Sequence, residues 1–302
     1  MTNYQESIVK GIAHNKPRYI ADKSNALNHI AYNTGDPIAC LELLSVKYQS
    51  GALVEWFENS DLLKCKSNAF NAAKLFALAV YRKTHELDEL YFNSTFRHFY
   101  PLLSDAEELI CWSMQNESCV GGIVKGKRAC LDTNKFEYHS TNTLLALRGE
   151  FELLKKRSEY ILDNPTTKPR LKRYMRDYEY FIALADHDIE GIQRNLDELT
   201  SNKVARVRNK EFEFGLEENM VAVVAFIFAK IAWRHGLEVE VKSPWVPDEW
   251  LPIAPLDVYE QPYEFLEAHN IYSNYGGVFE SCTPKLERSD FRDLSSIIDP
   301  YL

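Results

Sequence analysis

The chain has 302 residues, 45% of them hydrophobic and 13% aromatic, and its 44 acidic and 35 basic side chains give a net charge of −9. By composition it is an ordinary soluble globular protein with material for a sizeable core, in one large domain or two small ones. The charge is lopsided: residues 237–302 hold 13 acids and 4 bases, leaving 31 of each elsewhere, so that end repels nucleic acid and attracts basic partners.

The amino-terminal run Met1 to Ser7 has neither a basic leader nor a secretory apolar stretch, so a cytoplasmic location is expected. Asn25, Ala26, Ile30 and Ala31 predict a helix that stops before Thr34-Gly35-Asp36-Pro37, and Ile38, Leu41, Leu44 and Tyr48 begin the next, with proline where a first-turn residue needs no amide hydrogen. Asn68 to Thr84 predicts an amphipathic helix with Ala69, Ala72, Phe76, Ala79 and Val80 on one stripe. Ser104-Asp105-Ala106-Glu107 has the capping-box pattern and predicts a helix start at the serine.

Gly121 to Arg128 matches the Gly-x-x-x-x-Gly-Lys part of a phosphate loop, but Arg128 replaces the hydroxyl residue that would bind magnesium, and a probable helix rather than a strand precedes it. An exposed basic hairpin, Gly122-Ile123-Val124 against Arg128 to Leu131, is the expectation. Further helices are predicted over Phe136 to Ile161, Lys168 to Ala185, Ile189 to Thr200 and Pro262 to His269. Pro165 to Pro169, within a possible internal break at 163–169, is the best linker candidate, though a surface turn would serve equally. Leu237 to Val241 alternates like a short strand, and residues 272–302 read as a wrapping tail.

Met220 to Trp233 is almost uninterruptedly apolar, broken only by Lys230, and ends at Arg234-His235-Gly236. A helix from Leu216 to His235, enclosed on most of its circumference, is expected, with Gly236 in the left-handed position beyond its end. Charged residues bound the run below the roughly 18 to 20 apolar residues of a bilayer span. Two breaks, Ala31 to Ile38 and Ala183 to Ile189, each place an aspartate to cap a second helix, so a degenerate tetratricopeptide-like pairing of helices is plausible.

No catalytic or metal pattern stands out. The six cysteines (Cys40, Cys65, Cys111, Cys119, Cys130, Cys282) form no Cys-x-x-Cys pair and are expected as reduced thiols, although Cys119 and Cys130 are spaced to permit a disulfide. The eight histidines form no metal-binding pair, so neither a metal nor a cofactor is expected. A basic cluster (Lys155, Lys156, Arg157, Lys168, Arg170, Lys172, Arg173, Arg176) among Tyr160, Tyr174, Tyr178 and Tyr180 would suit a nucleic-acid backbone, but Arg170, Arg173 and Asp177 can instead pair along one helix face. The more productive candidate surface is Trp245, Trp250, Tyr259 and Tyr263 among Asp248, Glu249, Asp257, Glu260, Glu264 and Glu267, aromatic anchors ringed by charge. A helix starting near Pro262 would put Glu260, Glu264 and Glu267 on one face.

The helix closing on Ala232-Trp233-Arg234-His235-Gly236-Leu237, followed by Ser243-Pro244-Trp245-Val246-Pro247 and Trp250-Leu251, resembles the carboxy-terminal signature of the immunity protein 49 family. Arg176 to Leu184, then Asp186-His187-Asp188-Ile189 and Leu196 to Leu199, is similar to that family's middle section. The likeness covers roughly residues 170–252, with a looser one over 20–115. It implies an all-α immunity protein of a polymorphic-toxin system, one 1–302 helical unit without chemistry of its own, that blocks a cognate toxin domain. The acidic end suggests a basic toxin, and the expected cytoplasmic location one acting in the cytosol, such as a nuclease or another enzyme of nucleotides. The alternatives are a helical-repeat adaptor or chaperone for an effector, and a hydrolase that reverses a toxin's modification.

Overall fold

A computed structural model describes residues 3–87, 95–115, 123–124, 127–209, 215–268 and 294–298. Its first elements are helices α1 (Asn3–Ile20), α2 (Ser24–Ala31), α3 (Pro37–Phe57) and α4 (Leu62–Leu87), and the expected helix pairing is visible in how they join. Asn33 takes a left-handed conformation (φ 49°), and the Asp36 carboxylate accepts from the Ala39 amide at 2.9 Å to start α3 at Pro37. The second break uses the same cap on a shorter turn: His187 alone is left-handed (φ 54°), where the first break has both Asn33 and Gly35, and the Asp188 carboxylate accepts from the Gly191 amide at 2.9 Å. On α4 the predicted stripe of Ala69, Ala72, Phe76 and Ala79 is buried, as are Ala73, Ala77 and Leu78.

α5 (Phe99–Ser104) and α6 (Glu107–Gln115) follow a 3-10 turn at Thr95–His98. The capping box does not form. Ser104 ends α5, Asp105 turns left-handed (φ 58°), and α6 begins at Glu107, whose two carboxylate oxygens instead accept from Arg234 Nη2 at 2.8 Å. Two-residue strands β1 (Ile123–Val124) and β2 (Lys127–Arg128) pair antiparallel; a small hairpin is present as expected, but its second strand ends at Arg128 and Ala129–Leu131 is a 3-10 turn, and among the described residues the fold is otherwise all-α.

The single helix predicted over Phe136 to Ile161 is two: α7 (Phe136–Arg148) and α8 (Phe151–Asp163). Gly149 supplies the break at φ 70°, its amide and that of Glu150 returning to the Ala146 and Leu145 carbonyls. A Cβ on Gly149 would also sit 3.0 Å from the His235 ring. Gly149→Ala therefore combines left-handed strain with a close contact and should cost about 1 to 3 kcal/mol in urea unfolding; a variant as stable as the parent would contradict the role of this break.

α9 (Met175–Ala185), α10 (Ile189–Leu199) and α11 (Asn202–Asn209) complete the antiparallel series around α12 (Val223–Arg234), with short α13 (Glu264–Ala268) and α14 (Ser295–Ile298) near the end. Every residue of α12 from Val223 to Ala232 is buried, and Phe228 stacks on Tyr180 at 4.2 Å. Burial stabilises at about 1.5 to 3 kcal/mol per fully buried large apolar side chain, and Phe226, Ile227, Phe228 and Ile231 of this helix are each fully buried. It starts later than Leu216, because Glu217 turns inward to Tyr100 and the Ala222 amide donates to Trp245 O, 2.8 Å away. Gly236 is left-handed (φ 78°), as expected. Arg234 and His235 serve other helices rather than their own: Arg234 reaches Glu107, and His235 Nε2 donates to Ala146 O at 2.7 Å.

Leu237, Val239 and Val241 are buried and Glu238 and Glu240 exposed, so the alternation is real, yet the segment is extended chain and not a strand. Pro165 to Pro169 is a turn clasped by the Asn134 side chain, whose Oδ1 accepts from Thr166 Oγ1, Thr167 N and Thr167 Oγ1. The apolar core is contiguous on both sides of it. Of the tail, residues 294–298 are described, with Leu294 and Ile298 buried. No helix among the described residues is long and apolar enough to cross a membrane.

Candidate functional site

Residues 250–264 form a strap that runs from the core across one face of α4, and the reason lies in two lysines. Lys230, the one charge inside the apolar run of α12, and Lys66 of α4 both meet Asp105, at 2.8 and 2.7 Å, and all three side chains are at most 2% exposed. Asp105 can face them because its left-handed turn between α5 and α6 aims the carboxylate inward. Two cations against one anion leave an excess positive charge, which backbone carbonyls of the strap satisfy. Lys230 Nζ donates to Trp250 O (2.7 Å), Leu251 O (3.1 Å) and Pro252 O (2.9 Å), and Lys66 Nζ donates to Ala254 O at 2.6 Å. Burial pulls the Lys230 ammonium down to about 8 while Asp105 holds it up, so it is still charged at neutral pH.

Farther along, α4 presents Phe70, Asn71 and Lys74. Tyr259 stacks on Phe70 at 4.5 Å and donates to Ser104 O at 2.5 Å; Asn71 donates to Glu260 O at 2.8 Å, and Lys74 bonds Gln261. Tyr48 of α3 donates to the Tyr263 hydroxyl at 3.2 Å.

The structure divides the sequence-derived candidates accordingly. Trp250 and Trp245, 0% and 4% exposed, belong to the core: Trp250 meets Trp56, Phe57 and Phe226 edge-on, and Trp245 meets Tyr4. Tyr259 and Tyr263 are half-buried clamps of the strap. Asp248, Glu249, Asp257, Glu260 and Glu264 are all exposed, as are Glu238 and Glu240, with Lys242 the one exposed base among the described residues of this stretch. The helix begins at Glu264 and not at Pro262, so Glu260 lies outside it and the three-glutamate face does not form; the Glu267 side chain lies outside the described residues. The strap is thus acidic outward and pinned inward.

A second buried constellation has the outline of a hydrolytic array. His139 Nδ1 meets Thr95 Oγ1 at 2.9 Å, its Nε2 meets Asp177 at 2.7 Å, and Arg208 grips the same carboxylate with two bonds of 2.9 and 2.8 Å. Thr95, His139 and Asp177 are 1%, 2% and 0% exposed, so all three side chains are enclosed by the protein. Burial raises the Asp177 carboxyl, but Arg208 and His139 outweigh that and hold it below its ordinary value; burial likewise holds His139 down, so it donates from Nε2 as a neutral ring. The array ties the Thr95–His98 turn, α7, α9 and α11 together.

These histidines carry a pH prediction. Burial lowers His98 to about 4 and depresses His139 and His235 as well. A histidine lowered on folding binds fewer protons folded than unfolded, so the stability it supports is complete above about 6.5 and is lost as pH falls toward the folded value. Glu217, raised by burial, acts in the opposite sense. Comparison with a His98→Gln variant isolates the histidine: between pH 7.5 and 5 the wild type should lose about 2 kcal/mol more in urea unfolding, and parallel pH profiles would contradict the assignment.

The structure divides the basic cluster: Lys156, Lys168, Arg170, Lys172 and Arg173 are exposed, while the other members and the tyrosines among them are engaged elsewhere. Arg157 is fully buried, bonding Asn142, Cys130 O and Tyr138 O, and Tyr174, Tyr178 and Tyr180 are core. Lys155 pairs with Asp186 and Arg176 with Glu198, while Asp177, expected beside Arg170 and Arg173, turns inward to Arg208. Cys40, Cys65, Cys111 and Cys130 are thiols; Cys119 and Cys282 lie outside the described residues.

Residues 139–250 match the immunity protein 49 family. The immunity protein 49 match begins at His139 of the buried array and ends at Trp250, the head of the strap, taking in α8 to α12 and most of α7. It is a little over a third of the chain and starts earlier than the sequence likeness suggested; the looser likeness over 20–115 is outside it, as are α1 to α4 and the strap acids beyond Trp250. No curated protein and no solved structure matches the chain.

Proposed function

We propose that this chain is an immunity protein that binds one cognate toxin domain, copy for copy, and occludes its active or substrate-binding surface without chemistry of its own. The observation that carries the reading is the immunity protein 49 match over residues 139–250, which implies such a partner. The surface that supports the mode of action is the strap with the turn that leads into it, where exposed Asp257, Glu260 and Glu264 of the strap follow exposed Asp248 and Glu249 of the turn on a backbone held by Lys66 and Lys230. Such a surface suits a basic partner, and imitation of a polyanionic substrate points to a nuclease or another enzyme of nucleotides acting in the cytosol.

The experiment uses the toxin domain encoded beside this chain. Purified complex should retain no toxin activity and should fail to bind the toxin's substrate. A complex that forms yet leaves activity intact would replace occlusion with the adaptor reading.

A further inference from the structure

Between α1 and the end of α3 lies an open groove of about 730 Å³, lined by Val9 and Ile12 of α1, Trp56 and Phe57 of α3, and Pro244 and Pro247. Its floor is stiff: Trp56 and Phe57 both pack edge-on against buried Trp250, at 5.9 and 5.8 Å. Its α1 wall is fixed by Tyr4, which packs on Trp245 at 5.1 Å and donates to Met220 O at 3.3 Å. Val9 nevertheless stands 57% exposed, an apolar side chain at the lip of a preformed recess. Among the chain neighbours of the lining, acids outnumber bases: exposed Asp248 and Glu249 follow Pro247, Glu6 follows Gln5 and Glu58 follows Phe57, while Lys16 is taken up by Glu58 at 2.6 Å, Lys242 before Pro244 lies 3.8 Å from Glu240, and Lys10 stands on α1.

An apolar slot inside a negative rim complements an apolar side chain that projects from a positive surface. We infer that this groove receives such a side chain from a basic surface of the cognate toxin domain and is the anchoring point of the interface. The inference rests on the proposed immunity function and deepens it: the strap acids attract the partner, and the groove between the family-matched prolines and the unmatched α1 and α3 holds it. Anchors seated in well-packed, desolvated pockets are where binding energy concentrates.

The test titrates the adjacent-gene toxin domain into the full chain, wild type and with Val9→Arg or Val9→Leu. Val9 is exposed, so both variants should melt with the wild type. Val9→Arg sets a cation against the partner's own and should weaken Kd by about 30-fold or more, whereas Val9→Leu should stay within about threefold. Tight wild-type binding with an unaffected Val9→Arg overturns the groove and leaves the immunity function standing; absence of wild-type binding overturns both. A Val9→Arg chain that melts several degrees lower without toxin would show an occupant from the same chain, and one that dissolves a wild-type oligomer would show a second copy; either overturns the proposal.

Discussion

Asp105→Asn should destabilise the protein by about 3 to 5 kcal/mol at pH 7, the loss characteristic of removing one partner from a buried ion pair. Asparagine keeps the shape and tolerates the left-handed backbone at φ 58°, so the effect isolates charge. What remains is two ammonium groups, Lys66 and Lys230, facing one another without the carboxylate that separates them. Adding Lys230→Met should restore part of the loss, because one of the two stranded charges is then gone. Urea unfolding of the wild type, the single and the double variant decides it, and a single variant within about 0.5 kcal/mol of the wild type would show that the strap carbonyls alone hold the lysines. The same substitution should also weaken partner binding, since the carbonyls of Trp250, Leu251, Pro252 and Ala254 position the backbone that carries Asp257, Glu260 and Glu264.

Neutralising Asp248, Glu249, Glu260 and Glu264 together as their amides should slow association with the toxin domain by about 10-fold or more at low salt and flatten its dependence on ionic strength. All four side chains are exposed, so stability should barely change and the loss is attributable to the field. Dissociation should change less, because steering acts on encounter. Stopped-flow association at low and physiological salt checks this; an unchanged rate and salt slope would remove the acidic surface from the mechanism.

The parts of this molecule visible in its sequence are those governed by local rules. Asp36 before Pro37 and Asp188 before Ile189 announce their helices because a cap needs only neighbours, and the apolar run from Val223 to Ala232 announces a core helix because no other environment accepts it. The exposed acids of the strap were legible as charge. The pinning beneath them was not, since Asp105 meets lysines 39 and 125 residues away. One signal was present: a single lysine in an otherwise apolar helix needs a buried partner, and reading Lys230 as an interruption missed it. Gly149 after Arg148 was a second, a glycine where the helical pattern was carried straight through. Trp245 and Trp250 read as anchors because aromatic residues among acids describe an interface and a core edge equally well, and only packing against Tyr4, Trp56 and Phe57 distinguishes them.

The central claim, that an inert helical body silences its target by occupying it, is tested most directly by titrating toxin activity against this protein at toxin concentrations far above Kd. Activity should fall linearly and reach zero at one equivalent. Full protection by a small fraction of an equivalent, growing with incubation time, would mean turnover and would contradict the account.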